Sequence, residues 1–167
     1  MMGLAGSLIS DTGMRLSEAA GLHIEDLRLD EDIPYVDIKP HPWRSLKTKC
    51  NQRTLPLVGC ALWSADKAVE ASQHFPHLFP HQCNAKGCKA SSASNALNKW
   101  LHANFRKDIV MHGFRHAMHD RLRAVSCPSE IIDQIGGWSS GKVGKGYGEG
   151  YSVLQTYQWM TRLILTP

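Results

Sequence analysis

The chain has 167 residues, of which 43% are hydrophobic and 20% charged, with a formal net charge of +4. That length and apolar content suit one folded domain with a real core rather than a disordered tail. No run approaches the ~20 consecutive apolar residues of a membrane span. Residues 1–10 lack a basic segment ahead of their short apolar run. This argues against a secretory signal peptide and makes the cytoplasm the expected location.

Residues 5–10 read as the tail of a helix, which Thr12-Gly13 interrupts. Leu16, Ala19, Ala20 and His23 then recur at helical spacing. Glu25-Asp26-Leu27 and Asp30-Glu31-Asp32 read as polar turns. Tyr35-Val36-Asp37-Ile38 alternates and is β-branched, so it predicts a strand. A polar, basic stretch from Lys39 to Gln52 leads to a second strand at Arg53-Thr54-Leu55-Pro56-Leu57, making a hairpin or small sheet. Residues 61–73 predict a helix, and Phe75 to Ser92, rich in Pro, His, Gly and Ser, a loop. Leu97, Trp100, Leu101 and Phe105 share one face of a helix over Ser94–Phe105. A further helix spans His112–Val125, and Pro128 suits the first turn of the next, Ser129–Ile135, which Gly136-Gly137 ends. Residues 141–150 are glycine-rich and irregular, and a last amphipathic helix covers about 154–165. The expected class is mainly α with a small antiparallel sheet.

Charge and cysteines narrow the partners. Residues 1–37 hold two basic residues, Arg15 and Arg28, against eight acidic ones, while residues 38–167 hold seventeen basic against seven acidic. The asymmetry fits a polyanionic partner. It fits an ordinary solvated basic face equally well. Five cysteines (Cys50, Cys60, Cys83, Cys88, Cys127) at irregular spacing argue for reduced thiols rather than a disulfide framework. His81, Cys83 and Cys88, with His74 and His77 upstream, form the one metal-like cluster, but the second ligand pair that zinc prefers is missing.

Four pieces carry chemistry: Arg15 after a Thr-Gly turn, Lys47 in the basic hairpin, His112-Gly-Phe-Arg115, and Tyr147 in the glycine-rich run. Each alone has a structural reading, as a surface pair, a solvated lysine, a helix-face pair or a loop anchor. Together and in order they resemble the tyrosine recombinase (phage integrase) family. The stretch from Asp11 to Leu22 resembles its first-arginine motif. Leu46-Lys47-Thr48, closed by Arg53–Leu57, resembles its β-hairpin lysine motif. His112–His116 matches its histidine–arginine motif and Gly136–Ser140 the next box. Tyr147 follows Trp138 by nine residues, the spacing expected of the nucleophile.

The resemblance implies site-specific DNA recombination through a covalent 3′-phosphotyrosyl intermediate, with Arg15, Lys47, His112, Arg115, Trp138 and Tyr147 as catalytic residues. The residue types suit that chemistry. Two guanidiniums meet phosphate oxygens bidentately and neutralise charge that builds there. Tyr147 attacks and conserves the energy of the broken bond, so no ATP motif is needed. Lys47 protonates the leaving 5′-oxygen, and His112 accepts or shares the tyrosine proton. Trp138 stands where histidine is commoner; its indole N–H donates but cannot act as a base. No acidic cluster for two-metal chemistry stands out, and no cofactor is expected. Lys49 rivals Lys47, and Tyr151 rivals Tyr147, though spacing favours the first of each pair. Glu18, His116 and Asp133 read as structural. Arg44, Lys49, Arg53 and Lys142 are the expected DNA contacts.

The resemblance further implies a catalytic domain over 1–151 and a C-terminal helical segment over 152–167, which docks either on a neighbouring subunit or on its own core. An N-terminal core-binding domain and a first catalytic helix are expected to be missing. Double-stranded DNA is the expected partner, with a tetramer on DNA. Two alternatives stand beside this reading: a truncated, non-recombining DNA-binding remnant, and a small metal-binding domain built on His81, Cys83 and Cys88.

Overall fold

The computed structural model describes residues 2–46, 51–72, 75–138 and 150–164. Helix α1 (Met2–Thr12) ends where Gly13 takes a left-handed φ of 63° and its N–H returns to Ile9 O at 2.9 Å. A side chain at Gly13 would also meet Met118 at 2.9 Å, so glycine both caps the helix and admits α5. Helix α1 packs on α3 (Gly59–Ala71) and on α5 (Met111–Ala124). Its Leu8 and Ile9 are buried, and α3 brings an alanine stripe, Ala61, Ala65 and Ala68, that is wholly buried. Small residues at helical spacing let two helices approach closely, which is why α3 serves as a flat wall.

The short helix α2 (Leu16–Ala20) follows the Gly13 turn, and a 3-10 turn at Ile24–Asp26 leads into the sheet. Strands β1 (Leu27–Arg28), β2 (Tyr35–Ile38) and β3 (Arg53–Pro56) run antiparallel in that order. Val36 faces Leu55 across β2 and β3, and both are fully buried. The alternation read from Tyr35–Ile38 is thus the pleat of a strand with one face in the core.

Three differences from the expectations have physical reasons. Leu27–Arg28 is a strand rather than a turn, and Asp26 is wholly buried. Its carboxylate is tolerated there because Lys39, His41 and Arg44 reach it at 3.4, 2.7 and 3.2 Å. Within the expected loop lies a two-stranded hairpin, β4 (Cys83–Asn84) and β5 (Gly87–Cys88), whose paired residues Cys83 and Cys88 form a disulfide. This corrects the expectation of reduced thiols for that pair. It also removes the thiolates from the His81, Cys83, Cys88 cluster, and among the described residues no group of three His, Cys, Asp or Glu side chains is placed to hold a metal. With the hairpin as its lead-in, α4 (Ala90–Asn104) begins four residues earlier than expected.

Helix α6 (Ser129–Gly136) closes with Gly137 in the left-handed region at φ 60°. The C-terminal segment, α7 (Val153–Met160) and a 3-10 turn at Thr161–Leu163, packs against β3. Met160 and Leu163 are buried there, and Arg121 donates to Leu163 O at 2.8 Å. Within the single chain, residues 153–163 pack on its own core. No helix among the described residues is long and apolar enough to cross a membrane.

Candidate active site

Arg15 caps the N-terminus of α2, and Glu18, one turn later, accepts both its backbone N–H (2.8 Å) and its Nη1 (2.9 Å). The second oxygen of the same carboxylate takes Arg53 Nη2 from β3 at 2.9 Å. Arg53 is anchored further on Ile135 O and Asn51 O, both at 2.8 Å. Burial works against the Glu18 charge, yet Arg53 and then Arg15 outweigh it and hold the carboxyl below its ordinary pKa. Arg15 keeps a quarter of its side chain exposed (26%) while the carboxylate that orients it is nearly hidden (3%). It also donates to Gly137 O at 3.3 Å, tying α2 to the end of α6.

Arg115 lies in the second turn of α5 and is 4% exposed. It donates to Gly13 O from one terminal nitrogen and to Gly136 O from the other. Trp138 covers it, with the guanidinium carbon 4.4 Å from the ring centroid. The ring lies so close to Gly136 that a Cβ there would fall 1.8 Å from it. His119 also meets Trp138, edge-on at 5.1 Å. Burial, then Arg15 and Arg53, push the Arg115 pKa down to about 10, with Glu18 opposing, so the group is still a cation at neutral pH.

Both arginines open on one cleft of about 360 Å³, which His112 and Met111 line from the first turn of α5, Arg15, Leu16 and Ser17 from α2 and its cap, and Ser91 and Ser94 from α4. Burial, then His116, Arg115 and Arg15, hold His112 below its ordinary pKa of 6.5. His112 is therefore a neutral imidazole at pH 7, able to accept a proton beside two fixed cations. A cleft that holds two permanent guanidiniums and a neutral base suits an anionic substrate whose nucleophile must lose a proton.

Residues 4–149 match the phage integrase family. The chain belongs to this family. No curated protein matches it. Among solved structures, this phage integrase chain resembles the Tn1549 transposon integrase in complex with a circular intermediate DNA (TM-score 0.63, 17% identity, 96% of this chain and 58% of that one). It also resembles the same integrase in complex with transposon right end DNA (TM-score 0.59, 15% identity, 93% and 56%). At these identities the likeness is one of fold, and the chain spans somewhat over half the length of those integrase chains.

Of the six catalytic residues expected from the phage integrase resemblance, Arg15, His112 and Arg115 line this cleft, and Trp138 packs on Arg115. Lys47 and Tyr147 lie outside the described residues, as do Lys49 and Lys142. Two of the expected DNA contacts are buried in ion pairs. Arg44 is 3% exposed and donates to Glu18 O, Asp26 and Lys39 O; Arg53 is 8% exposed and committed to Glu18. Neither guanidinium reaches the surface, because each neutralises a buried carboxylate. The rival nucleophile Tyr151 is partly buried and fixed by Gln134, whose amide exchanges two hydrogen bonds with its backbone (2.7 and 2.8 Å). Sequence reading missed Ser17, Ser91 and Ser94. Ser91 was hidden because the hairpin that starts α4 early carries no periodic signal.

Proposed function

We propose that this chain carries out the strand-transfer chemistry of a site-specific tyrosine recombinase on double-stranded DNA. The observation that carries this reading is the convergence of Arg15, His112 and Arg115 on one cleft, in a chain that belongs to the phage integrase family. The solved neighbours, integrases held on transposon DNA, support DNA as the substrate.

In this reading Arg15 and Arg115 hold the non-bridging oxygens of one phosphate. Arg115 has N–H groups left over after its two bonds to backbone carbonyls, and those carbonyls fix the plane of its fork. The Tyr147 oxygen attacks phosphorus, its proton passing to neutral His112. The phosphorus–5′-oxygen bond breaks, and Lys47 supplies the proton that the leaving oxygen needs. Trp138 packs its ring on the Arg115 guanidinium and takes no proton. Rejoining reverses these steps with a different 5′-hydroxyl. We extend the proposal to assembly of several copies on DNA, and to chemistry that needs no added metal.

The deciding experiment mixes nicked half-site DNA with wild type, Tyr147→Phe and Tyr151→Phe, without added metal, and reads covalent adducts on a denaturing gel. The expected result is an adduct that only Tyr147→Phe abolishes. Loss with Tyr151→Phe alone would move the nucleophile. DNA binding without any adduct would favour a non-cleaving DNA-binding remnant.

A further inference from the structure

Outside the cleft, the turn after β2 is held in a cluster of rings drawn from three separate segments. Trp43 stacks on His41 with centroids 4.5 Å apart and planes 8° from parallel, and meets His77 edge-on at 4.8 Å. His23 completes the group, 5.5 Å from Trp43 and 5.6 Å from His77. The backbone frames the cluster: Ile24 N–H donates to Pro76 O and Leu78 N–H to Leu22 O, both at 2.9 Å. Trp43 Nε1 donates to Gly21 O at 3.2 Å, and the His41 and Arg44 backbones bond each other. Beyond this cluster and the Asp26 carboxylate, the arm 39–46 is held by Arg44 Nη1 on Glu18 O at 3.0 Å and by Leu46 packed against the core. In sequence it leads directly to Lys47.

His77 is 6% exposed, and its Nδ1 has no hydrogen-bond partner. A proton on that ring would place a charge in a buried site with no acceptor for Nδ1. The charged and titratable groups around it are His23 and Glu25 from the 3-10 turn, Asp26 beneath them, and His41, Lys39 and Arg44 on the arm. The carboxylates serve others: Asp26 takes His41, Lys39 and Arg44, while Glu25 is exposed and 3.7 Å from His23. Burial, then His23 and His41, lower the His77 pKa below 6.5.

We infer that His77, Trp43 and His41 form a proton-sensitive clamp that holds the arm 39–46 while His77 is neutral and releases it when His77 is protonated. The His41 ring already meets a carboxylate, Asp26, at 2.7 Å, whereas His77 Nδ1 meets no acceptor, so the release belongs to His77. The sign follows from linkage. The open form, with His77 at its ordinary value, binds the proton more readily. The clamp is therefore fully closed above about pH 6.5 and weakens as pH falls below it. That the clamp makes these rings positioning residues for Lys47 rests on the recombinase reading; the clamp itself does not.

The test is hydrogen–deuterium exchange of the whole chain between pH 5.5 and 7.5, corrected for intrinsic exchange. The expected result is that amides of 39–46 lose up to about tenfold in protection per unit of pH below about 6.5, levelling off once His77 titrates in the closed form, while α3 does not change. His77→Phe keeps a ring but takes no proton, and should hold the arm at both pH values. Arm protection that is flat with pH, or that falls equally in His77→Phe, would overturn the clamp. If His77→Phe does not fold, a histidine NMR titration of wild type decides instead. His77 and the arm resonances should then titrate together below 6.5, and arm resonances that ignore His77 would overturn the inference. Failure to form a covalent adduct would count against the recombinase reading and leave this result untouched.

Discussion

At Glu18 a carboxylate 2% exposed meets two guanidiniums at 2.9 Å, one from its own helix and one from β3. The pairing with Arg15, three residues away, was open to reading from helix geometry. The pairing with Arg53, 35 residues away, left no local trace. Glu18→Gln would strip the charge from a buried triad and should cost on the order of 3 kcal/mol in urea unfolding. Because its folded pKa is depressed, the stability it brings is present above its ordinary value of 4.5 and lost as pH falls through the folded one. A urea midpoint that Glu18→Gln shifts as much at pH 2.5 as at pH 7 would contradict this. His112 gives a second expectation at this scale. Its pKa lies below 6.5, so the acid limb of adduct formation should also lie below 6.5. His112→Gln should slow the reaction and remove that limb; a profile of unchanged shape would rule out His112 as the proton acceptor.

Strands β2 and β3 were legible as elements because each alternates or is β-branched over four residues, and their burial follows that pattern. Helices α3, α5 and α6 were legible for the same local reason. The hairpin β4–β5 was not, since two-residue strands carry no period and their pairing rests on Cys83 meeting Cys88. Missing it cost the start of α4, and with it Ser91, which lines the cleft. Helix α7 is a case where sequence left two dockings open. Met160 is wholly buried in the chain's own core, so Met160→Ala should cost roughly 2–5 kcal/mol, measured on dilute protein without DNA. A loss below about 1 kcal/mol there would mean that α7 stands off the core in solution.

Over the whole molecule, much of the acidic surplus of residues 1–37 is matched internally by the basic surplus that follows it. Asp11 takes Arg121, Glu18 takes Arg53, and Asp26 takes Lys39, His41 and Arg44. A charge count along the sequence cannot separate such pairs from cations that face solvent, which is why Arg44 and Arg53 read as DNA contacts. In the proposed reading, attraction to DNA comes from other cations. Arg44→Met should therefore lower stability, yet leave unchanged the slope of log binding constant against log salt for duplex DNA. A true phosphate contact would lower that slope by about 0.9.

Arg115 binds Gly13 O, 102 residues before it, and Gly136 O, 21 residues after it. The order of synthesis follows from those two separations. A nascent chain ending anywhere short of Gly136 can carry a finished α1, α2 and sheet, with Arg115 held by one carbonyl and uncovered by Trp138. The arginine centre is thus among the last parts of the described molecule to be assembled as the ribosome proceeds. A half-made polypeptide, however well its first helices have folded, has no aligned pair of guanidiniums with which to grip a passing phosphate.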